Sequence, residues 1–211
     1  MSSPPVSRLL ALLTFSALIN YLDRQSLAVL LPVLREELQL TTSDYSRISS
    51  AFLIAYSLGQ LVAGPTINRF GIRRTLALSV AVWSAASMLH GLAGTALELL
   101  ALRVVLGVGE STNWPAGVKA IYLWAPTYRR ALYLGIFDAG AAIGTASAFP
   151  LMALLTQWYG WRAAFVVIGA SGFLWLLFWL PSAPAREARP APAVGVPWRE
   201  LLRQPLLWGL V

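Results

Sequence analysis

Six apolar runs, parted by short loops that carry arginine, restrict this chain more than any other feature. They cover residues 8–34, 44–67, 75–94, 97–125, 131–159 and 161–180. Each is near or above the ~20 residues that a helix needs to cross a bilayer. The first could be mistaken for a secretory signal, but its apolar part is too long and it carries Asp23 and Arg24. The expected fold class is therefore all-α, a polytopic membrane protein with six complete spans. Pro32 followed by Arg35, Glu36 and Glu37 is expected to end the first helix, Ser43 or Asp44 to cap the second, and Pro115 to kink the fourth.

Composition supports this reading. Charged residues are 12% and hydrophobic residues 57% of 211 positions, where a soluble domain carries about 25% charged. The net charge of +7 does not indicate nucleic acid, because the arginines sit in separate short loops rather than on one patch. There is no cysteine and one histidine, His90, so no thiolate or His-rich metal site and no cofactor are expected. His90 reads as an interfacial residue near a helix end. No Ser-His, Cys-His or paired-His pattern suggests an enzyme. The sequence Gly107-Val-Gly109-Glu-Ser-Thr lacks the lysine and preceding strand of a phosphate loop.

Loop charge sets the expected orientation. Arg8, Arg69, Arg73, Arg74, Arg129, Arg130, Arg186, Arg189, Arg199 and Arg203 fall on one side, which places both termini in the cytoplasm. Residues 1–181 read as a six-span bundle. Residues 182–204, rich in Pro and Ala, read as a cytoplasmic linker with a short amphipathic helix. Residues 205–211 read as the start of a seventh span.

Charges inside the runs are the functional signal. Arg103 and Glu110 are seven residues apart on one helical face, and Gly107 between them is expected to leave room. A charge at a span's centre costs roughly 2.5–3.5 kcal/mol on insertion scales, and the default reading of such residues is a cavity. Asp23 and Arg24 on the first span lie at a similar depth. Two arginines suit a bound carboxylate, which guanidinium forks bidentately, and two acids suit proton carriage. Tyr21, Tyr56, Gln60, Asn113 and Trp114 are further candidate lining groups. Asp138 reads either as a cavity group or as a partner of arginines near the cytoplasmic turn, the second being preferred, and Gly140 and Gly144 are expected to form a close-packing face.

The chain also echoes itself. Arg69-Phe70-Gly71-Ile72-Arg73 and Trp158-Tyr159-Gly160-Trp161-Arg162 are both aromatic-Gly-x-Arg turns, predicted on opposite membrane faces. Three helices repeated with inverted topology would put them there.

Gly64-Pro-Thr-Ile-Asn68-Arg69-Phe-Gly71-Ile-Arg73-Arg74 resembles the signature loop of the major facilitator superfamily. Asn20-Tyr21-Leu-Asp23-Arg24, with Arg103, Gly107, Gly109, Glu110, Asn113 and Pro115, is similar to its anion:cation symporter family, which includes hexuronate, glucarate and galactonate carriers. The resemblance implies the six-helix N-terminal half of such a fold, built as 3+3 inverted repeats. It implies that Asp23 and Glu110 couple protons and that Tyr21, Arg24, Tyr56, Arg103 and Asn113 bind substrate. Gly64, Asn68, Arg69, Gly71, Arg73 and Arg74 would form the cytoplasmic gate loop. Asn68 stands where the signature usually has aspartate, which weakens a gate contact, and Ala141 stands where relatives often have a polar group.

The expected function is proton-coupled symport of a small organic anion, such as a sugar acid, by alternating access. The expected partners are the anion, protons, the lipid bilayer, and a missing C-terminal half or a second copy. The alternative is a non-transporting remnant or a membrane sensor built on a transporter half.

Overall fold

A computed structural model describes residues 6–184. The described residues form helices α1 (Val6–Leu38), α2 (Thr42–Phe70), α3 (Ile72–His90), α4 (Ala96–Glu110), α5 (Asn113–Trp124) and α6 (Arg130–Ser182), with a 3-10 turn at Thr127–Arg129 and no strand. α1, α2 and the stretch Thr127–Ser182 are each long and apolar enough to cross a membrane. Residues 185–204 of the expected linker and the expected seventh span at 205–211 lie outside the described residues.

Helix directions follow from which glycines touch which backbones. Gly140 and Gly144 of α6 press on the main chain of Thr14 and Leu18 of α1, so this part of α6 runs parallel to α1. Gly107 of α4 meets Phe52 and Tyr56 of α2, and Gly59 meets Ser111, so α2 and α4 are parallel. Beyond Gly160 the sense reverses. Gly169 meets Met88 and Ser84 of α3, Gly172 meets Ser84, and the Trp179 indole donates to the Arg73 carbonyl at 3.1 Å. α6 is therefore two antiparallel arms hinged at Gly160, whose φ of 81° and ψ of 161° are not helical. The described residues make six passes through the bundle, alternating in direction, with α4 and α5 sharing the fourth.

Local chemistry moves several expected boundaries. Pro32 does not end α1, which continues to Leu38 and stops where Gln39 takes a positive φ of 52°. The second helix is capped by Thr41, with Asp44 as the reciprocal partner of a capping box, rather than by Ser43 or Asp44. The fourth span is interrupted at Ser111–Thr112, in the turn before Pro115, where both residues keep helical φ/ψ, so the expected proline kink is present. Pro115 falls in the first turn of α5, where its missing N–H leaves no intrahelical bond unmade. Its ring would clash with the carbonyl four residues back, that of Ser111, were the helix continuous.

Two apolar clusters fill the bundle. One joins Leu13, Phe52, Leu76, Trp83, Leu106, Phe137, Trp175 and Trp179. The other joins Leu30, Leu34, Ile48, Leu99, Met152, Trp161 and Phe165. The intramembrane charges lie among α1, α3 and α4, and beside α2.

Candidate functional site

Adjacent positions on α1 project about 100° apart, so Asp23 and Arg24 serve different neighbours. Asp23 is buried at 1% exposure and its Oδ1 accepts from the Ser87 hydroxyl of α3 at 2.8 Å. Its Oδ2 has no hydrogen-bond partner. Arg24 turns towards α2 and α4. Its Nε and Nη2 both donate to Glu110 Oε2, at 3.1 and 2.9 Å, while Glu110 Oε1 is buried without a partner. Glu110 ends α4 just before the helix breaks, which points it into the gap beside α1.

Aromatic faces hold the cation in place. The Arg24 guanidinium carbon lies 4.4 Å from the Tyr56 ring centre, 4.7 Å from Tyr21 and 5.4 Å from Phe52. Arg103 lies 5.9 Å from the same Phe52 ring. A guanidinium over an aromatic face gains roughly 0.5–2 kcal/mol, most when desolvated. Arg103 is 2% exposed, and its Nε and Nη2 have no hydrogen-bond partner.

All four expected charges are thus gathered in the bundle rather than turned to lipid, though not as a symmetric set. Arg24 is engaged with Glu110, whereas Arg103 keeps unused donors beside them. The space expected beside Gly107 is filled. A Cβ there would lie 2.7 Å from the Phe52 carbonyl, so the glycine serves close approach of α4 to α2.

Other expected positions divide. Asn113 is buried and accepts from the Ser16 hydroxyl at 3.1 Å, tying α5 to α1. Gln60 lies exposed on α2, and Trp114 stacks on Phe137 at 5.0 Å. Asp138 is exposed and forms no ion pair among the described residues, so the expected meeting with arginines is absent; Arg130 instead lies over the Tyr122 ring. His90 is fully buried, with Nδ1 2.7 Å from the Ala86 carbonyl and its ring stacked on Phe165, so the interfacial reading fails.

At the end of the bundle near Gly71, the Asn68 amide oxygen accepts from Lys119 Nζ at 2.6 Å. Arg73 donates to the Leu180 carbonyl at 2.7 Å, and Arg69 lies over the Phe70 ring. Arg74 is exposed, as is Gly64, which has open space around it.

Sequence reasoning missed Phe52, Ser87 and Lys119. Lys119 is the only lysine in the chain and sits in an apolar run, which was a usable signal. Phe52 lies four residues before Tyr56 on the same helical stripe. A serine in an apolar helix gives no comparable hint of Ser87.

A sequence profile described as Major Facilitator Superfamily matches residues 13–211. The chain belongs to that superfamily. This facilitator chain is 33% identical to a probable L-galactonate transporter of Escherichia coli K12, covering 95% of itself and 48% of the relative. It is 34% identical to the hexuronate transporter of the same strain, covering 82% and 40%. It is 32% identical to a probable sulfoacetate transporter of Cupriavidus necator, covering 88% and 48%. The chain spans about half the length of these curated relatives. Its fold matches a bacterial homolog of the human lysosomal transporter Spinster, in an inward-facing and unoccupied state, with TM-score 0.80 at 23% identity over 100% of this chain and 52% of that one. It also matches a proton:xylose symporter, with TM-score 0.75 at 17% identity over 85% and 45%. The chain is an integral membrane protein of a transporter family and not an enzyme.

Proposed function

We propose that this chain forms the N-terminal half of a proton-coupled symporter for a small organic anion of the sugar-acid class. The supporting observation is the Arg24–Glu110 ion pair, with an unpartnered second carboxylate oxygen, beside an Arg103 whose donors are unused. With both acids ionised the four charges sum to zero, and the site has no net attraction for an anion. Protonating Glu110 removes the charge that holds Arg24 and leaves a net positive site. A substrate carboxylate then takes Arg24 and Arg103, which suit planar bidentate recognition. Asp23, bonded to Ser87 and within the field of Arg103, is the second proton carrier. Tyr21 and Tyr56 flank the bound anion, and Asn113 keeps α5 in register with α1. Alternating access comes from this half rocking on a second one. The loop Gly64, Asn68, Arg69, Gly71, Arg73 and Arg74 is the cytoplasmic gate, with both termini on that side of a bacterial inner membrane.

The test is uptake by the full gene product in liposomes under an imposed proton gradient. Arg103→Ala abolishes anion uptake, and Glu110→Gln abolishes its dependence on the gradient. Unchanged gradient-driven uptake in both variants overturns the reading. A salt bridge that only fastens α1 to α4 is the competing reading. It predicts lost stability in Glu110→Gln with gradient coupling intact.

A further inference from the structure

We propose that Gln25, Tyr45 and Ser49 form a hydroxyl-reading edge beside Arg24 and Arg103, which selects polyhydroxylated acids over short or unsubstituted ones; this rests on the anion-carrier reading above. The similar carriers do not decide the substrate, since they include a galactonate transporter and a sulfoacetate transporter at nearly equal identity. The geometry does discriminate. A cleft of about 190 Å³ lies between α1 and α2 and is lined by Arg24, Arg103, Phe52, Gln25, Tyr45 and Ser49 among others. Tyr45, Ser49 and Phe52 are spaced at four and three residues, so they form one stripe of α2 facing this cleft. At ~1.5 Å per residue the stripe extends roughly 10 Å from Phe52, next to both guanidiniums, out to Tyr45.

Gln25, Tyr45 and Ser49 are half-buried, and none has a side-chain hydrogen bond among the described residues. A phenol, a hydroxyl and an amide each both donate and accept, as the hydroxyls of a sugar acid do. A two-carbon acid, with a backbone bond of about 1.5 Å, is held at the arginines and cannot reach Tyr45. A six-carbon acid anchored there lies along the whole stripe. An unsubstituted acid of that length leaves the three polar groups without partners, which disfavours it.

The experiment is calorimetric binding to the purified full gene product, with galactonate, hexanoate and sulfoacetate as probes. Wild type is expected to prefer galactonate over both by at least tenfold. Ser49→Ala, Tyr45→Phe and Gln25→Leu are each expected to weaken galactonate about three- to tenfold, the range for one lost hydrogen bond, with hexanoate unchanged. Tyr45→Phe keeps the ring and its packing, so a loss there is not a folding effect. The inference is overturned if these variants leave the galactonate-to-hexanoate ratio unchanged while Arg103→Ala abolishes binding, in which case the carrier reading stands. Tighter wild-type binding of sulfoacetate than galactonate also overturns it. If Arg103→Ala leaves all three affinities unchanged, the carrier reading falls and this inference falls with it.

Discussion

Gly71 and Gly160 hold the same backbone conformation, φ 81° with ψ 160° and 161°, at opposite ends of the bundle. Each stands between an aromatic residue and an x-Arg pair, and each reverses the chain between two passes. That φ/ψ combination is essentially restricted to glycine. The two turns therefore mark equivalent points in two three-pass units of inverted sense.

Gly160→Ala isolates the backbone part of this requirement, because an added Cβ meets nothing within 4 Å. The expected loss is about 1–3 kcal/mol from the disfavoured conformation alone. Gly135→Ala, also in open space but within α6, is expected to be neutral or slightly stabilising. Thermal unfolding of both variants in detergent checks the contrast.

Gly144→Val is expected to separate α1 from α6. The Leu18 main chain already abuts the position, so the helices must move apart or distort. Overpacking of this kind costs about 1–3 kcal/mol. The unfolding midpoint should fall, and cysteines introduced at facing positions of the two helices should cross-link less.

Asn68→Asp places a charge opposite Lys119, which already reaches this side chain. A charge-assisted bond is roughly twice as strong as a neutral one. If the loop gates the cytoplasmic side, uptake should slow severalfold while substrate affinity measured from outside stays the same or rises. Lys119→Ala should give the opposite change in accessibility, read by labelling of cysteines placed in the cleft.

Phe52→Ala removes the ring that both guanidiniums share. The variant is expected to weaken anion binding more than Tyr21→Phe, which keeps its aromatic face. Equilibrium binding of galactonate to the two variants provides the comparison.

The sequence by itself determined the all-helical class, the glycine turns at Gly71 and Gly160, the close-packing role of Gly140 and Gly144, and which charges the helices enclose. These are local properties: run length, the conformational freedom of one residue, and the cost of a charge in hydrocarbon. Only the tertiary structure decided which charge pairs with which. Asp23 and Arg24 are neighbours in the chain yet turn to different helices, so Arg24 meets Glu110 and Asp23 meets Ser87. It also decided that the space beside Gly107 is filled by α2, that His90 is buried, and that Phe52 lies near both arginines. Such contacts join residues tens of positions apart, and they depend on helix rotation and approach, which no stretch of sequence specifies alone.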